Sequence, residues 1–279
     1  MVKIGKNNNL KVVKTVDFGV YLDGGEYGEI LMPQKYVPEN ISEGDEVDVF
    51  VYFDSEDRIV ATTERPLIEV GEFGLLTAVS TTKFGAFMDW GLLKDLLVPF
   101  REQYKPIRVG DRYIVYAYFD NESKRIVGST KLNKFLGNKI PKYEIGESVE
   151  LLVADKTDLG VKVIVDNMFW GMIFNNDLFD PVRYGDRMQG FVKNVRDDGK
   201  IDVTIRSKGG DRVFSLVDRI TGYLKDNGGR MYLTDSSDPS EIKSIFQCSK
   251  KDFKKALGFL YKHRRIDINS DSVTLRWQD

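Results

Sequence analysis

The chain has one cysteine and one histidine in 279 residues. Cys248 has no second cysteine to pair with inside the chain, which favours a reducing compartment. One histidine and one cysteine also exclude a His-rich or Cys-pair zinc site. Neither a GxxxxGK[ST] phosphate loop nor a glycine run following a strand is present. No window reaches 18 uninterrupted apolar residues, and the opening MVKIGKNNNLKVV lacks the apolar stretch of a secretory signal. A cytoplasmic protein without membrane contact is therefore expected. Two acidic clusters, Asp54–Asp57 and Asp235–Asp238, read as a hairpin turn and a helix cap rather than as magnesium ligands. The expectation is no enzyme, no cofactor and no metal.

Charge of one sign is also missing, since 41 Lys and Arg face 43 Asp and Glu. The distribution is uneven: residues 1–66 hold thirteen acids against seven basic residues, whereas basic residues exceed acids in 67–144 and 210–279. A polyanion should prefer those two segments.

What the chain has is a repeat. Phe18-Gly19 precedes Gly44-Asp45 by 26 residues, and the same offset separates Phe84-Gly85 from Gly110-Asp111 and Leu159-Gly160 from Gly185-Asp186. The first two copies share YFD, at 52–54 and 118–120; the third keeps the spacing and loses the aromatics. Apolar residues alternate with period two, and Asp/Gly/Asn/Ser turns separate the runs. Each unit of about 60 residues reads as five short antiparallel strands with a longer connection after the third. So small a unit suits a closed barrel, which leaves no sheet edge.

FGVYLD…GEILMP and FGAFMDW…KDLLVP resemble the S1-like RNA-binding domain, an OB-fold barrel. Residues 1–66, 67–144 and 145–209 fit three tandem copies, the last degenerate. The resemblance implies that Phe18 and Tyr21, then Phe84 and Phe87, stack nucleobases, with Asp54, Arg58, Asp120 and Arg125 as later contacts of the same face. A frequent family histidine falls on Met32 and Val98, which implies a lost polar contact. The third copy has Leu159 and Lys162 where the rings would stand. Stacking tolerates any base, and nearby cations track phosphates, so Lys83, Lys94, Arg101, Lys105, Arg108 and Arg125 make the second copy the expected main contact. A core role for the same aromatics stays open, because residues 84 and 87 face opposite sides of a regular strand unless Gly85 bends it. Trp90 is expected to pack, and Phe169 and Trp170 to cover the third barrel or dock it on a neighbour, with a displaced stacking platform as the alternative.

Beyond residue 209 the period changes to about 3.6. Val213, Leu216, Val217, Ile220 and Leu224 form one stripe ending at Asn227-Gly228-Gly229. RMYLTD reads as a strand, Asp238-Pro239 as a helix start, and SKKDFKKALGFLYKHRRI as a helix burying Phe253, Leu257, Leu260 and Tyr261. A hairpin turning at 269–271 follows. This order, over 210–279, is that of a winged helix-turn-helix, whose third helix carries Lys250, Lys251, Lys254, Lys255, Lys262, Arg264 and Arg265 as nucleic-acid or partner contacts. His263 reads as one more polar residue. Three barrels followed by a winged helix resemble the conserved virulence factor B (YitL-type) family. That resemblance implies a cytoplasmic RNA-binding protein acting on gene expression after transcription. Single-stranded RNA is the expected partner; docking on ribosome or RNA polymerase is the alternative, and duplex DNA a weaker one.

Overall fold

The computed structural model describes residues 1–137, 140–178, 181–205, 208–262 and 264–276. His263 and Trp277 lie outside them, and so does the side chain of Val213. The chain divides into two compact units, one of Met1–Asn175 with Pro181–Val203, the other mainly Thr204–Asp279.

In the first unit the alternating stretches form β1 (Asn7–Val16), β2 (Gly19–Asp23), β3 (Glu29–Pro33), β4 (Glu46–Phe53) and β5 (Ile59–Thr62). The second copy forms β6 (Phe73–Thr82), β7 (Gly85–Asp89), β8 (Leu96–Pro99), β9 (Arg112–Asp120) and β10 (Arg125–Ser129). The third forms β11 (Ser148–Thr157), β12 (Gly160–Val165), β13 (Phe169–Phe174), β14 (Arg187–Val195) and β15 (Ile201–Thr204). The first and third copies are closed barrels, with ring orders β1-β2-β3-β5-β4 and β11-β12-β13-β15-β14. The second is a five-stranded sheet in the order β10-β9-β6-β7-β8.

Two details differ from the sequence reading. The strands are not all antiparallel: β3 runs parallel to β5, and β13 to β15. A closed ring of five strands cannot alternate direction all the way round, so one pair must be parallel. The second copy also leaves β8 and β10 outside a common ladder among the described residues. They still lie side by side, since a Cβ on Gly128 of β10 would meet Leu96 and Val98 of β8.

The 26-residue spacing has a structural cause. The register of each long first strand shifts once against its hairpin partner, between Val12 and Lys14, Ala78 and Ser80, and Val153 and Asp155. The Gly-Asp pair clamps each bulge: Gly44 N–H donates to Val12 O at 2.8 Å while Val12 N–H donates to Asp45 O at 2.8 Å. Gly110-Asp111 does the same to Ala78, and Gly185-Asp186 to Val153. The bulge bends the strand so that it can serve both sides of the barrel.

The YFD strands bring the first two copies together. Phe53 stacks on Phe119 with centroids 6.3 Å apart, and Phe50 meets the buried Trp90 edge-on at 5.8 Å. One apolar core therefore holds Phe50, Tyr52 and Val60 of the first copy with Leu76, Met88 and Trp90 of the second. Phe73, Ile114 and Leu136 share another with Leu152 and Ile164 of the third.

In the second unit α1 (Lys208–Asp226), β16 (Arg230–Met231), α2 (Pro239–Phe246), α3 (Lys250–Lys262), β17 (Ile266–Ile268) and β18 (Val273–Leu275) follow the expected order. Leu216, Ile220, Leu224, Ile242, Phe246, Phe253, Leu257 and Leu260 form its core. Asp238 caps α2, its Oδ1 accepting from Ser240 N–H at 2.7 Å, and Gln247 at φ 47° turns the chain into α3. Tyr261 is exposed rather than buried. Phe253, Ala256, Leu257 and Leu260 already fill the inward stripe of α3, and residue 261 falls at its edge. The strand in RMYLTD is confined to Arg230–Met231, which leaves Tyr232 exposed.

No helix among the described residues is long and apolar enough to cross a membrane.

Candidate nucleic-acid interface

Phe18 and Phe84 stand at the tips of the β1–β2 and β6–β7 hairpins, 58% and 63% exposed. Tyr21 and Phe87, on β2 and β7, are half-buried. Among the described residues neither pair belongs to a core cluster. The problem of residues three apart is solved by Gly85, whose φ of +150° is open to glycine. A Cβ there would also come within 2.3 Å of Val98 O on β8. The hairpin thus requires glycine next to the ring at its tip, which is turned outward while Phe87 lies on the strand beyond. In the first copy the rings of Phe18 and Tyr21 meet edge-on at 6.4 Å.

Cations sit beside both pairs. Lys14 Nζ is 5.9 Å from the Tyr21 ring centroid, and Lys83 Nζ 5.1 Å from that of Phe84. Phe84 and Phe87 also line a cleft of about 320 Å³ shared with Phe53, Asp57, Lys94 and Arg125. Phe53 and Asp57 come from the neighbouring barrel and were not singled out as site residues in the sequence. The repeated YFD motif was the available signal for Phe53. Asp95 lines the same cleft, and burial, followed by the charge of Asp89, raises its carboxyl above the ordinary range.

The two Asp/Arg pairs are placed differently. In the first copy they form a local ion pair: Asp54 Oδ2 accepts from Arg58 Nε at 2.8 Å, and its Oδ1 accepts the Glu56 and Arg58 amides at 2.9 Å. Burial pushes Asp54 upward, but these bonds outweigh it and hold the carboxyl below its usual value. In the second copy Asp120 is buried and accepts from Arg101 at 3.0 Å and Ser123 at 2.8 Å. Arg125 instead reaches into the first barrel and pairs with Asp57, which Lys94 Nζ also approaches at 3.4 Å. Of the cations expected to line a groove, Lys94, Arg101 and Arg125 are thus engaged with carboxylates, while Lys83 lies over a ring.

Met32 and Val98 are fully buried, so both point into their barrel cores. The apolar residues there complete packing, which corrects the expectation that they withdraw a contact from the surface. In the third copy Leu159 is 68% exposed, and Lys162 Nζ lies 3.6 Å above the Trp170 ring. Phe169 is buried, and Trp170 donates from Nε1 to Asn133 Oδ1 of the second copy at 2.8 Å. Trp90 is 3% exposed and donates to Lys94 O at 2.6 Å, a packing role as expected.

On α3, Lys250 donates to Ser237 O at 2.8 Å and Lys254 pairs with Asp235 at 3.2 Å, which binds both to the turn before α2. Lys251, Lys255, Lys262 and Arg264 are exposed, and Arg265 is half-buried. Among the described residues no group of three or more His, Cys, Asp or Glu side chains is placed to hold a metal ion.

The Asp57 cluster carries a pH prediction. The hydrogen bond from Arg125, aided by Lys94, holds the Asp57 carboxyl below its ordinary value. A carboxylate lowered by folding contributes its full stability above about pH 4 and loses it as pH falls through the lower folded value. The partners are 32–53% exposed, so each pair contributes about 0–1 kcal/mol. Asp57→Asn should lower the urea midpoint slightly at neutral pH, and the gap from wild type should close in acid. A gap that persists or widens there would locate the effect elsewhere.

An S1 domain matches residues 4–64, and a CvfB-like winged helix domain matches residues 218–275. The chain is 30% identical over 277 residues to YitL of Bacillus subtilis strain 168, covering 94% of this chain and 90% of that one. It is 24% identical over 285 residues to conserved virulence factor B of Staphylococcus haemolyticus strain JCSC1435, covering 98% and 94%. A crystal structure described as a multidomain protein with nucleic acid binding domains, from Streptococcus pneumoniae TIGR4, aligns over 98% of both chains at 22% identity with a TM-score of 0.41.

Proposed function

We propose that this chain, which belongs to the family of YitL and conserved virulence factor B, binds single-stranded RNA through its barrels and acts on gene expression after transcription. The observation that carries the reading is the pair of hairpin-tip rings, Phe18 and Phe84, left more than half exposed beside a second aromatic and a lysine. A ring exposed beside a second aromatic and a cation offers the flat π-face on which a base stacks.

In this reading Phe84 and Phe87 take successive bases while Lys83 follows the phosphates. Phe18, Tyr21 and Lys14 offer a second platform of the same kind on an acidic barrel, so its share of the affinity is smaller. Arg58 is held to Asp54 and Arg125 to Asp57, and each exchanges a carboxylate for a phosphate only at the cost of that pair. The exposed cations of α3 add a further nucleic-acid contact.

Fluorescence anisotropy with labelled single-stranded RNA, matched single-stranded DNA and RNA duplex tests this. Single-stranded RNA should bind best, and its affinity should fall with added salt as phosphate contacts release counterions. Equal affinity for duplex would favour the winged helix as the reader. Absence of binding to all three would favour docking on a protein assembly such as ribosome or RNA polymerase.

A further inference from the structure

We propose that the seam between the second and third barrels is a second binding cleft for single-stranded RNA, with Tyr104 and Trp170 as its stacking surfaces and Lys105, Lys131 and Lys162 as its phosphate contacts. The inference rests on the nucleic-acid reading above and adds a site to it. It also gives a role to the third copy, which lacks the hairpin aromatics.

The cleft measures about 490 Å³, larger than the one beside Phe84. Its two platforms come from different barrels and are held by independent contacts. Tyr104 is 72% exposed, yet its backbone N–H donates to Thr130 Oγ1 at 2.8 Å. An exposed ring on a fixed backbone loses little freedom when a base stacks on it. The indole edge of Trp170 is tied to Asn133 across the seam at 2.8 Å. Tyr184 also lines the cleft, its hydroxyl accepting from Ile114 N–H at 2.8 Å. These cross-barrel bonds form the cleft before any ligand arrives.

Charge selects the occupant. Lys105, Lys131 and Lys162 line the cleft against one carboxylate, Asp155, while the fourth lysine there, Lys134, pairs with Glu102 at 2.8 Å; an extended polyanion complements this excess of positive charge. Lys105 and Lys131 are exposed at its rim. Lys162 already covers one face of the indole at 3.6 Å. A cation over an aromatic face marks where electron-rich π surface is available, and a base that stacks there takes the place of the ammonium. The displaced ammonium then meets a phosphate. Burial lowers the basicity of Lys162 where it now stands, so an approaching anion favours its charged form.

The test uses the full chain and a labelled single strand of about 20 nucleotides, longer than one OB-fold engages. Tyr104→Ala/Lys131→Ala alters two exposed side chains and leaves the cross-barrel bonds of Trp170 and Tyr184 in place. Its affinity should fall about tenfold or more, with a shallower dependence on salt. RNA should also quench tryptophan emission in wild type, and Trp170→Phe should abolish that quenching. Loss of less than tenfold by the Tyr104→Ala/Lys131→Ala protein overturns the cleft, even where Phe84→Ala/Phe87→Ala abolishes binding. Conversely, full binding by the Phe84→Ala/Phe87→Ala protein with loss in the seam variant removes the hairpin platform and leaves the cleft standing. Wild type that binds no RNA overturns both.

Discussion

Phe84→Ala/Phe87→Ala is expected to weaken binding of short single-stranded RNA by at least about tenfold, or about 1.4 kcal/mol. Each base stacked on an aromatic contributes about 1–3 kcal/mol, so removing two platforms would exceed that figure were the remaining sites not to retain the strand. Phe84 is mostly solvent-exposed and its loss should leave stability nearly unchanged. Phe87 is half-buried, so thermal unfolding of the variant must first establish that it folds. Anisotropy at two salt concentrations separates the terms. Stacking loss lowers affinity by a similar factor at both, whereas loss of a phosphate contact flattens the salt dependence. A folded double variant that binds like wild type would remove these rings from the interface.

Trp90→Ala is expected to cause the largest loss of stability. The indole is 3% exposed, meets Phe50 of the neighbouring barrel at 5.8 Å and donates to Lys94 O at 2.6 Å. Truncating a buried Trp costs about 3–5 kcal/mol through lost burial and the cavity left behind. Here it also leaves the Lys94 carbonyl without its donor. Against a total of about 5–15 kcal/mol for a typical domain, such a change should shift the urea midpoint substantially. Because Trp90 shares one core with Phe50 and Tyr52 of the first copy, the first two barrels should lose stability together. Trp90→Phe, which refills most of the space, should restore much of the loss. An unfolding free energy within about 1 kcal/mol of wild type, the typical single-substitution effect, would show that the indole does not couple the two copies.

Much of the fold could be read along the chain because its determinants are local or periodic. Alternation of period two marks the strands, and the change to 3.6 marks α1 and α3. The constant 26-residue offset follows from the distance along the chain between a hairpin and the Gly-Asp pair that clamps the bulge of the same barrel. Phe-Gly is legible for a related reason: β2, β7 and β12 each begin with a glycine whose missing Cβ lets the next strand's carbonyl approach. That requirement is purely backbone, which is why the third copy keeps Gly160 after its aromatics are gone. The ring before the glycine carries no such constraint and is free to serve as an exposed surface.

The site was legible only in its residue types. Whether Phe84 faces water or core depends on how the hairpin bends at Gly85, and period-two counting gives the wrong relation between residues 84 and 87. Nor does one sequence show which carboxylate an arginine meets. Asp54-Arg58 and Asp120-Arg125 look equivalent as strings, yet Arg125 pairs with Asp57 because the barrels pack through Phe53 and Phe119 and bring that turn within reach. A separate core, in which Phe73 and Ile114 meet Leu152 and Ile164 of the third copy, puts Tyr104 and Trp170, 66 positions apart in the sequence, on one cleft. Strand, turn and helix propensity act between near neighbours and are written in order along the chain. Clefts and ion pairs between barrels arise from contacts between distant segments, and only the assembled cores bring those segments together.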